Sequence, residues 1–295
     1  MNHICLHAYG KINLALDVLG KRADGYHDLK MIMHSISLHD VLFIKKSSSR
    51  KIEIKCDNRR LPTDERNLVY RAAQLLIDRC NIDSGVFMEL TKGIPIAAGL
   101  GGGSADCAAA LIGMRALFDL PITDTEMQQI GKSLGADVPF CLTGGTALAE
   151  GIGEVLTPLP MHPPAIFVLA RPRFQISTSM VYNGFDPARV SARPDVDGMV
   201  AALHRQDLRA VTARYSNVLE TVTEPMRPII TDIKAHMLAH GAHGTLMSGS
   251  GPTVFACFDD RAMAVKAMKA LKRTENLYSC EVRLCQTQKI GIDIT

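Results

Sequence analysis

The chain has no tryptophan, few aromatic residues and almost no net charge. Aromatic residues make up 5% of its 295 positions, and the formal net charge is only +3. Nucleic-acid-binding proteins usually gather Lys and Arg on one face, whereas the basic residues here are scattered along the chain. The composition therefore predicts no nucleic-acid partner.

Paired cysteines and long apolar runs are also missing. None of the eight cysteines forms a Cys-x-x-Cys pair, and Cys5, Cys107, Cys141 and Cys257 lie inside apolar segments. This pattern indicates reduced, buried thiols and not a disulfide framework. No apolar run reaches the ~18 residues of a membrane span, and the first residues do not resemble a signal peptide. We therefore predict a cytoplasmic protein that is not attached to a membrane.

Length and composition predict two domains. The chain is 47% hydrophobic and 21% charged, which is ordinary for globular proteins, and a domain holds ~150 residues on average. Four prolines between positions 158 and 164 mark a boundary, which gives domains at residues 1–156 and 157–295. Strand and helix patterns mix in both halves, which favours an α+β sandwich over a doubly wound sheet.

Apolar periodicity predicts the elements of the first half. Alternation over residues 4–18 indicates a strand with one buried face, and Lys11, Asn13 and Asp17 share the opposite face. Residues 41–44 and 52–54 are predicted to pair around a serine-rich turn. Thr123 and Glu126 form a capping-box pattern whose helix ends at Gly135 and leads to Asp137. The other predicted elements are helices over 67–80, 196–203, 208–214, 228–240 and 261–273, and strands over 86–90, 165–170, 253–258 and 280–284.

A run of small residues precedes a helix-forming stretch. Gly99, Gly101, Gly102, Gly103 and Ser104 stand before a helix expected to begin near Ala105. Glycines allow close approach and positive φ, and free N–H groups at a helix N-terminus favour bound phosphate. The run therefore predicts an anion cradle for a nucleotide, although small residues also serve as a purely structural helix entry.

Two better-known glycine loops do not match this run. Walker A requires a Lys after the glycines, and none follows here. The dinucleotide fingerprint requires a strand directly before the first glycine. Here the preceding residues are Lys92-Gly93-Ile94-Pro95, which end a strand before it reaches the glycine run. An NAD-dependent oxidoreductase is therefore disfavoured.

Seven motifs in order resemble the GHMP kinase superfamily, and the resemblance covers almost the whole chain. The motifs are Ala8-Tyr-Gly-Lys-Ile-Asn-Leu14, Arg22-Ala-Asp-Gly-Tyr-His27, Asn67-Leu68-Val69, the loop over 95–110, Gly135-Ala-Asp-Val-Pro-Phe140, Glu150-Gly-Ile-Gly-Glu154 and Ser248-Gly-Ser-Gly-Pro-Thr253. The resemblance implies two lobes: a ribosomal-protein-S5-domain-2-like N-terminal lobe that binds ATP, and a ferredoxin-like α/β sandwich that completes the substrate cleft.

The same resemblance implies an ATP-dependent kinase with Lys11 and Asp137 as its catalytic pair. Asp137 would orient and deprotonate the attacking hydroxyl, and Lys11 would keep Asp137 ionised and offset charge on the moving phosphoryl group. Mg²⁺ would accompany ATP with few protein ligands of its own, and no metal site is assigned to the protein. The implied ATP-binding residues are Asn67, Lys92, Pro95, Gly99, Gly101, Gly102, Gly103, Ser104 and Ala105.

The motif that ends in Tyr26-His27 points to one substrate class within the superfamily, a cytidyl diphosphate-linked methylerythritol phosphorylated on its 2-hydroxyl. Aromatic faces suit stacking on a cytosine ring, and a histidine suits its polar edge. The implied substrate-binding residues are Asn13, Tyr26, His27, Asp137, Tyr182, Ser248 and Gly249. The alternatives are another small alcohol such as mevalonate or homoserine, or a catalytically silent nucleotide-binding regulator, and the chain is expected to be a monomer or homodimer.

Overall fold

Two sheets organise the computed structural model, which describes residues 2–275, 277 and 279–295. The strands are β1 (His3–Lys21), β2 (His27–Ser47), β3 (Ile52–Cys56), β4 (Gly85–Thr91), β5 (Thr146–Gly151), β6 (Val155–Pro158), β7 (Ile166–Arg171), β8 (Ser216–Asn217), β9 (Gly244–Met247), β10 (Val254–Phe258), β11 (Glu281–Gln286) and β12 (Ile292–Ile294). The helices are α1 (Leu68–Cys80), α2 (Gly102–Phe118), α3 (Asp124–Leu134), α4 (Val138–Thr143), α5 (Thr178–Asn183), α6 (Val196–His204), α7 (Leu208–Thr212), α8 (Glu220–Met226), α9 (Ile229–Ala239) and α10 (Arg261–Leu271).

The first sheet is built on the long β1–β2 hairpin. Its order is β12-β1-β2-β4-β3, with β5 and β6 extending from β2 and β8 lying parallel to β1. Helix α2 packs on this sheet with apolar residues on nearly all sides. A Cβ at Gly113 would lie 2.6 Å from Ile44 Cδ1, so glycine at this position permits the close approach of α2 to β2.

The structure contains the predicted elements, but one predicted strand pairing and one predicted exposed face are wrong. β3 does not pair with β2 as predicted, because β4 lies between them and pairs in parallel with β3. The prediction of one buried face for β1 is also wrong: Leu14 packs in the core under α2, while Lys11 and Asn13 on the other face are only 5% and 1% exposed. That other face is covered because it borders the cleft between the two sheets.

The second sheet has the ferredoxin-like arrangement. Its order β11-β7-β10-β9 is antiparallel throughout, and α9 and α10 connect its strands in a βαββαβ sequence. The chain then returns to the first sheet, because β12 follows β11 and pairs with β1. β6 also lies in the first sheet and ends at Pro158, so the domain boundary at 156/157 stays a prediction. No helix in the described part of the chain is long and apolar enough to cross a bilayer.

A chain of buried polar groups links the first sheet to the segment that leads into the second sheet. His162 donates from Nδ1 to the Pro163 carbonyl at 2.7 Å, and its Nε2 accepts from the Tyr215 hydroxyl at 2.9 Å. The His162 N–H donates to Thr146 Oγ1, which also contacts Nδ1 of the fully buried His34. Burial lowers the pKa of His162 to about 4 and places that of His34 well below its ordinary range.

We expect the free energy of unfolding to fall as the pH drops from about 6.5 to about 4. The unfolded chain takes up a proton near pH 6.5 while folded His162 does so only near pH 4, so the stability present above 6.5 is lost on acidification. The loss attributable to His162 is about 3 kcal/mol. Urea unfolding followed by far-UV circular dichroism should show a shallower pH dependence for His162→Gln. Exposed His204→Gln should keep the parent's dependence, and an unchanged slope in the His162 variant would contradict this explanation.

Candidate active site

A pocket of about 370 Å³ lies on the glycine loop. Its wall runs from Leu61 and Asn67 past Lys92 to the loop over 95–104. Gly101 caps α2 in the left-handed region at φ 72° with no side-chain hydrogen bond, so the first turn of α2 offers free N–H groups. α2 begins at Gly102 and not near Ala105, which places Gly102, Gly103 and Ser104 within its first turn. This pocket has the chemistry of a phosphate cradle.

A second pocket, of about 600 Å³, opens between the two sheets. Its walls include Lys11, Asn13, Asp137, Tyr182 and Gly249. Gly99, Gly101 and Ser104 border both pockets, so a ligand in one would meet a ligand in the other at the glycine loop.

Lys11 and Asp137 face each other where the pockets meet. Lys11 Nζ lies 3.5 Å from Asp137 Oδ2 and donates to Asn13 Oδ1 at 2.8 Å. A register shift in β1 between Tyr9 and Lys11 accompanies a hydrogen bond from Lys11 N–H to the Leu100 carbonyl, which ties β1 to the glycine loop. The Lys11 side chain is 6% exposed and that of Asp137 is 30% exposed, so the carboxylate is open to the cleft.

Asp137 reaches this position through the predicted capping box. Thr123 and Glu126 make both reciprocal bonds at the start of α3, and Gly135 ends that helix. Asp137 is then the N-cap residue of α4, but its side chain makes no capping hydrogen bond. Among the described residues, the carboxylate therefore pairs only with Lys11, which leaves it available to accept a hydrogen bond from a hydroxyl group.

Lys92 belongs to a buried cluster with Asp40 and Asp106. Its ammonium bonds to Asp40 and lies 2.5 Å from Asp106 Oδ2, and all three side chains are at most 6% exposed. Burial alone would lower the pKa of Lys92, but attraction to Asp106 and Asp40 outweighs it and raises that pKa. Burial, followed by repulsion from Asp40, raises the pKa of Asp106 well above its ordinary range. Lys92 lines the glycine-loop pocket, but its ammonium already pairs with these two carboxylates.

Sequence reasoning did not find Asp40 or Asp106. Asp40 also accepts from the N–H groups of Gly93 and Ile94 at 2.7 and 2.8 Å, so it holds the turn that leads into the glycine loop. The signal available in the sequence was an acidic residue inside the apolar stretch of α2, because a buried Asp requires a partner. Asn67, predicted to bind ATP, lines the glycine-loop pocket, and its side chain accepts from Val69 N–H as the N-cap of α1.

The aromatic wall of the second pocket is formed chiefly by Tyr182 and His27. Their ring centroids are 5.4 Å apart, and burial raises the pKa of the Tyr182 hydroxyl well above its ordinary range. Burial and, secondarily, the charge of Lys21 lower the pKa of His27, which favours its neutral form. Tyr26 also lines the pocket but is 60% exposed, so it stands at the rim.

Ser248 lies behind the cleft surface. It is fully buried, its hydroxyl donates to the Gly99 carbonyl at 2.9 Å, and it accepts from Asn13 N–H at 3.3 Å. These bonds occupy the hydroxyl, so the predicted substrate contact from Ser248 does not fit this geometry. Gly249 and Ser250, the next two residues, line the cleft instead.

Comparison with known proteins agrees with this architecture. The family models for the GHMP kinases N terminal domain and GHMP kinases C terminal match residues 67–145 and 195–276. The fold and the two adjoining pockets therefore define a small-molecule kinase of the GHMP class.

Individual relatives show to which family of GHMP kinases the chain belongs. The 4-diphosphocytidyl-2-C-methyl-D-erythritol kinase of Acetivibrio thermocellus is 46% identical over 275 residues, covering 93% of this chain and 97% of that protein. A crystal structure of 4-(cytidine 5'-diphospho)-2C-methyl-D-erythritol kinase superposes with a TM-score of 0.81 at 33% identity, covering 96% of this chain and 98% of the other. The chain belongs to the 4-diphosphocytidyl-2-C-methyl-D-erythritol kinase family. Homoserine kinase from Cytophaga hutchinsonii has a TM-score of 0.82 at 21% identity over 100% of this chain and 98% of its own, which shows the shared fold alone.

Proposed function

We propose that the protein transfers the γ-phosphoryl group of ATP to the 2-hydroxyl of 4-diphosphocytidyl-2-C-methyl-D-erythritol. The observation that carries this proposal is the meeting of two pockets at Lys11 and Asp137. The glycine-loop pocket suits the ATP phosphates, and the aromatic cleft suits a cytidyl group. The family relationship supports the choice of substrate.

Phosphoryl transfer depends mainly on positioning and charge stabilisation, because its transition state is loose. In our proposal Asp137 accepts the hydrogen bond of the 2-hydroxyl and takes its proton as the bond to phosphorus forms. Lys11, whose Nζ lies 3.5 Å from Asp137 Oδ2, pairs with that carboxylate and stabilises the oxygens of the moving group. Asn13 holds the Lys11 ammonium in place through its 2.8 Å bond.

The residues near the glycine loop fit an ATP-bound Mg²⁺ that has few protein ligands. No group of three His, Cys, Asp or Glu side chains within the described residues is arranged to hold a metal ion. Ser104, which borders both pockets, and Asp137, which lines the cleft pocket, have side-chain oxygens that would hold such an ion, whereas Ala105 has no hydroxyl. Mg²⁺ commonly binds substrate phosphates and water together with one or two protein oxygens. When bound, it would neutralise charge on the ATP phosphates.

We expect Tyr182→Ala to raise KM for the cytidyl substrate by roughly 5- to 150-fold, since stacking on one base contributes about 1–3 kcal/mol. KM for ATP should be unchanged, because Tyr182 lines only the cleft pocket. Tyr26→Ala should have a smaller effect, since that ring is 60% exposed. Steady-state kinetics with either substrate varied checks both, and Phe118→Ala, at the end of α2 far from the glycine loop, serves as the control. An unchanged KM in the Tyr182 variant would exclude base stacking there.

The proposed function is tested by ADP release with Mg-ATP and four acceptor conditions: the cytidyl substrate, mevalonate, homoserine and no acceptor. We expect turnover with the cytidyl substrate alone. Turnover with another alcohol would retain the kinase mechanism and overturn the substrate assignment. No turnover with any acceptor would favour a silent nucleotide-binding regulator.

A further inference from the structure

The turn over residues 248–251 lies beside the reacting groups. It joins β9 to β10, and Gly249 and Gly251 adopt φ of 58° and 84°, a region that favours glycine. A Cβ built on Gly249 would lie 3.7 Å from Lys11 Nζ and 3.4 Å from Asn13 Oδ1. The backbone of this turn is therefore within reach of a group held between Lys11 and Asp137.

Asn217 holds the turn from behind. It is 4% exposed and lies in β8, where it pairs with Leu16 of β1. Its Nδ2 donates to the carbonyls of Met247 and Gly249, both at 2.8 Å, and its Oδ1 accepts from Leu219 N–H at 3.0 Å. One side chain thus fixes the entrance and the middle of the turn to the first sheet.

The bond to the Gly249 carbonyl fixes the direction of the next amide. A trans peptide unit is planar, so its N–H points opposite to its C=O. Because the Gly249 carbonyl faces Asn217, the Ser250 N–H points away from Asn217. Ser250 is 8% exposed and lines the cleft, and its N–H donates to no group in the part of the chain that the structure describes. An N–H without a protein partner in a residue that lines the cleft is available to a ligand.

We propose that Asn217 is a positioning residue that directs the Ser250 N–H at an oxygen of the phosphoryl group in transfer. This inference rests on the proposed phosphoryl transfer. A Cβ built on the preceding Gly249 would lie 3.7 Å from Lys11 Nζ, so this N–H adds a preorganised donor close to where charge develops. Asn217 itself contacts no substrate and acts through the peptide that it orients.

The test compares Asn217→Ala, Ser250→Pro and the double variant. Ser250→Pro deletes the N–H together with the hydroxyl that bonds to Thr178 Oγ1 at 2.9 Å, so Ser250→Ala, which keeps the N–H, measures the effect of the hydroxyl alone. We expect Asn217→Ala and Ser250→Pro each to lower kcat by up to about 100-fold, the scale of one lost oxyanion donor, with both KM values within about threefold of the parent. The double variant should be no slower than Ser250→Pro, because both changes remove the same interaction.

Thr221→Ala is the matched control, since Thr221 bonds only the Val218 carbonyl next to Asn217. Far-UV circular dichroism and thermal unfolding establish that each variant is folded at the assay temperature. If Asn217→Ala does not fold, Asn217→Ser replaces it in the comparison, because Ser250→Pro alone tests the N–H and not the role of Asn217. Independent, multiplying losses in the double variant, or a full kcat in Ser250→Pro, would overturn the inference. Absence of turnover in the parent enzyme would instead refute the proposed function.

Discussion

Asp137→Asn should reduce kcat by roughly 10²- to 10⁴-fold, the usual contribution of a positioned general base. Its carboxylate is the acceptor that faces the cleft at the meeting of the two pockets, and an amide cannot take the proton of the hydroxyl. KM for both substrates should change little, because the substitution keeps the size of the side chain. Steady-state kinetics of ADP release with the cytidyl substrate measure the effect.

The free energy of unfolding should change little in Asp137→Asn. The Asp137 side chain is 30% exposed and caps no helix N–H, so the variant loses only a partly solvated ion pair. Asp83→Asn, in an exposed pair with Arg50, is the matched control and should keep full activity. Activity of Asp137→Asn within about tenfold of the parent would show that the carboxylate is not the base.

Lys92→Met should lower the free energy of unfolding by about 3–5 kcal/mol, the usual loss when one partner of a buried ion pair is removed. The change leaves Asp40 and Asp106 facing each other without a counterion, and both are at least 95% buried. Urea unfolding at neutral pH measures the loss. The turn that leads to the glycine loop depends on Asp40, so KM for ATP should rise in the same variant.

The pH dependence separates this explanation from simple loss of packing. Without Lys92 the folded-state pKa of Asp106 rises further, so the folded form takes up a proton and the stability deficit shrinks as the pH falls. Lys92→Met with Asp106→Asn should recover part of the lost stability. Lys55→Met, in an exposed pair with Glu89, should lose less than about 1 kcal/mol. A deficit that does not vary with pH would exclude the electrostatic explanation.

Local pattern predicted much of the site. Period-two alternation placed Lys11 and Asn13 on one face of β1, and the capping box led to Asp137. The glycine run predicted a helix N-terminus open to an anion, which the left-handed Gly101 provides. Each of these features depends on residues close together in the chain.

The features that were missed depend on residues distant in the chain. Lys92 contacts Asp40, which lies 52 positions before it, and β3 pairs with β4 across the whole of α1. Lys11 packs against Gly101 of the glycine loop and lies near Gly249 of the turn between β9 and β10, and Ser248 bonds to the carbonyl of Gly99, 149 positions earlier. Such pairings are fixed by tertiary packing, which overrides local propensity.

Product identification by phosphorus NMR tests the central proposal most directly. The enzyme is incubated with Mg-ATP and 4-diphosphocytidyl-2-C-methyl-D-erythritol, and the new resonances are assigned. We predict one new phosphomonoester on the 2-hydroxyl carbon, an intact diphosphate and an equal amount of ADP. A phosphomonoester on another hydroxyl, or ADP formed without a phosphorylated product, would contradict the alignment of the 2-hydroxyl with Asp137 and Lys11.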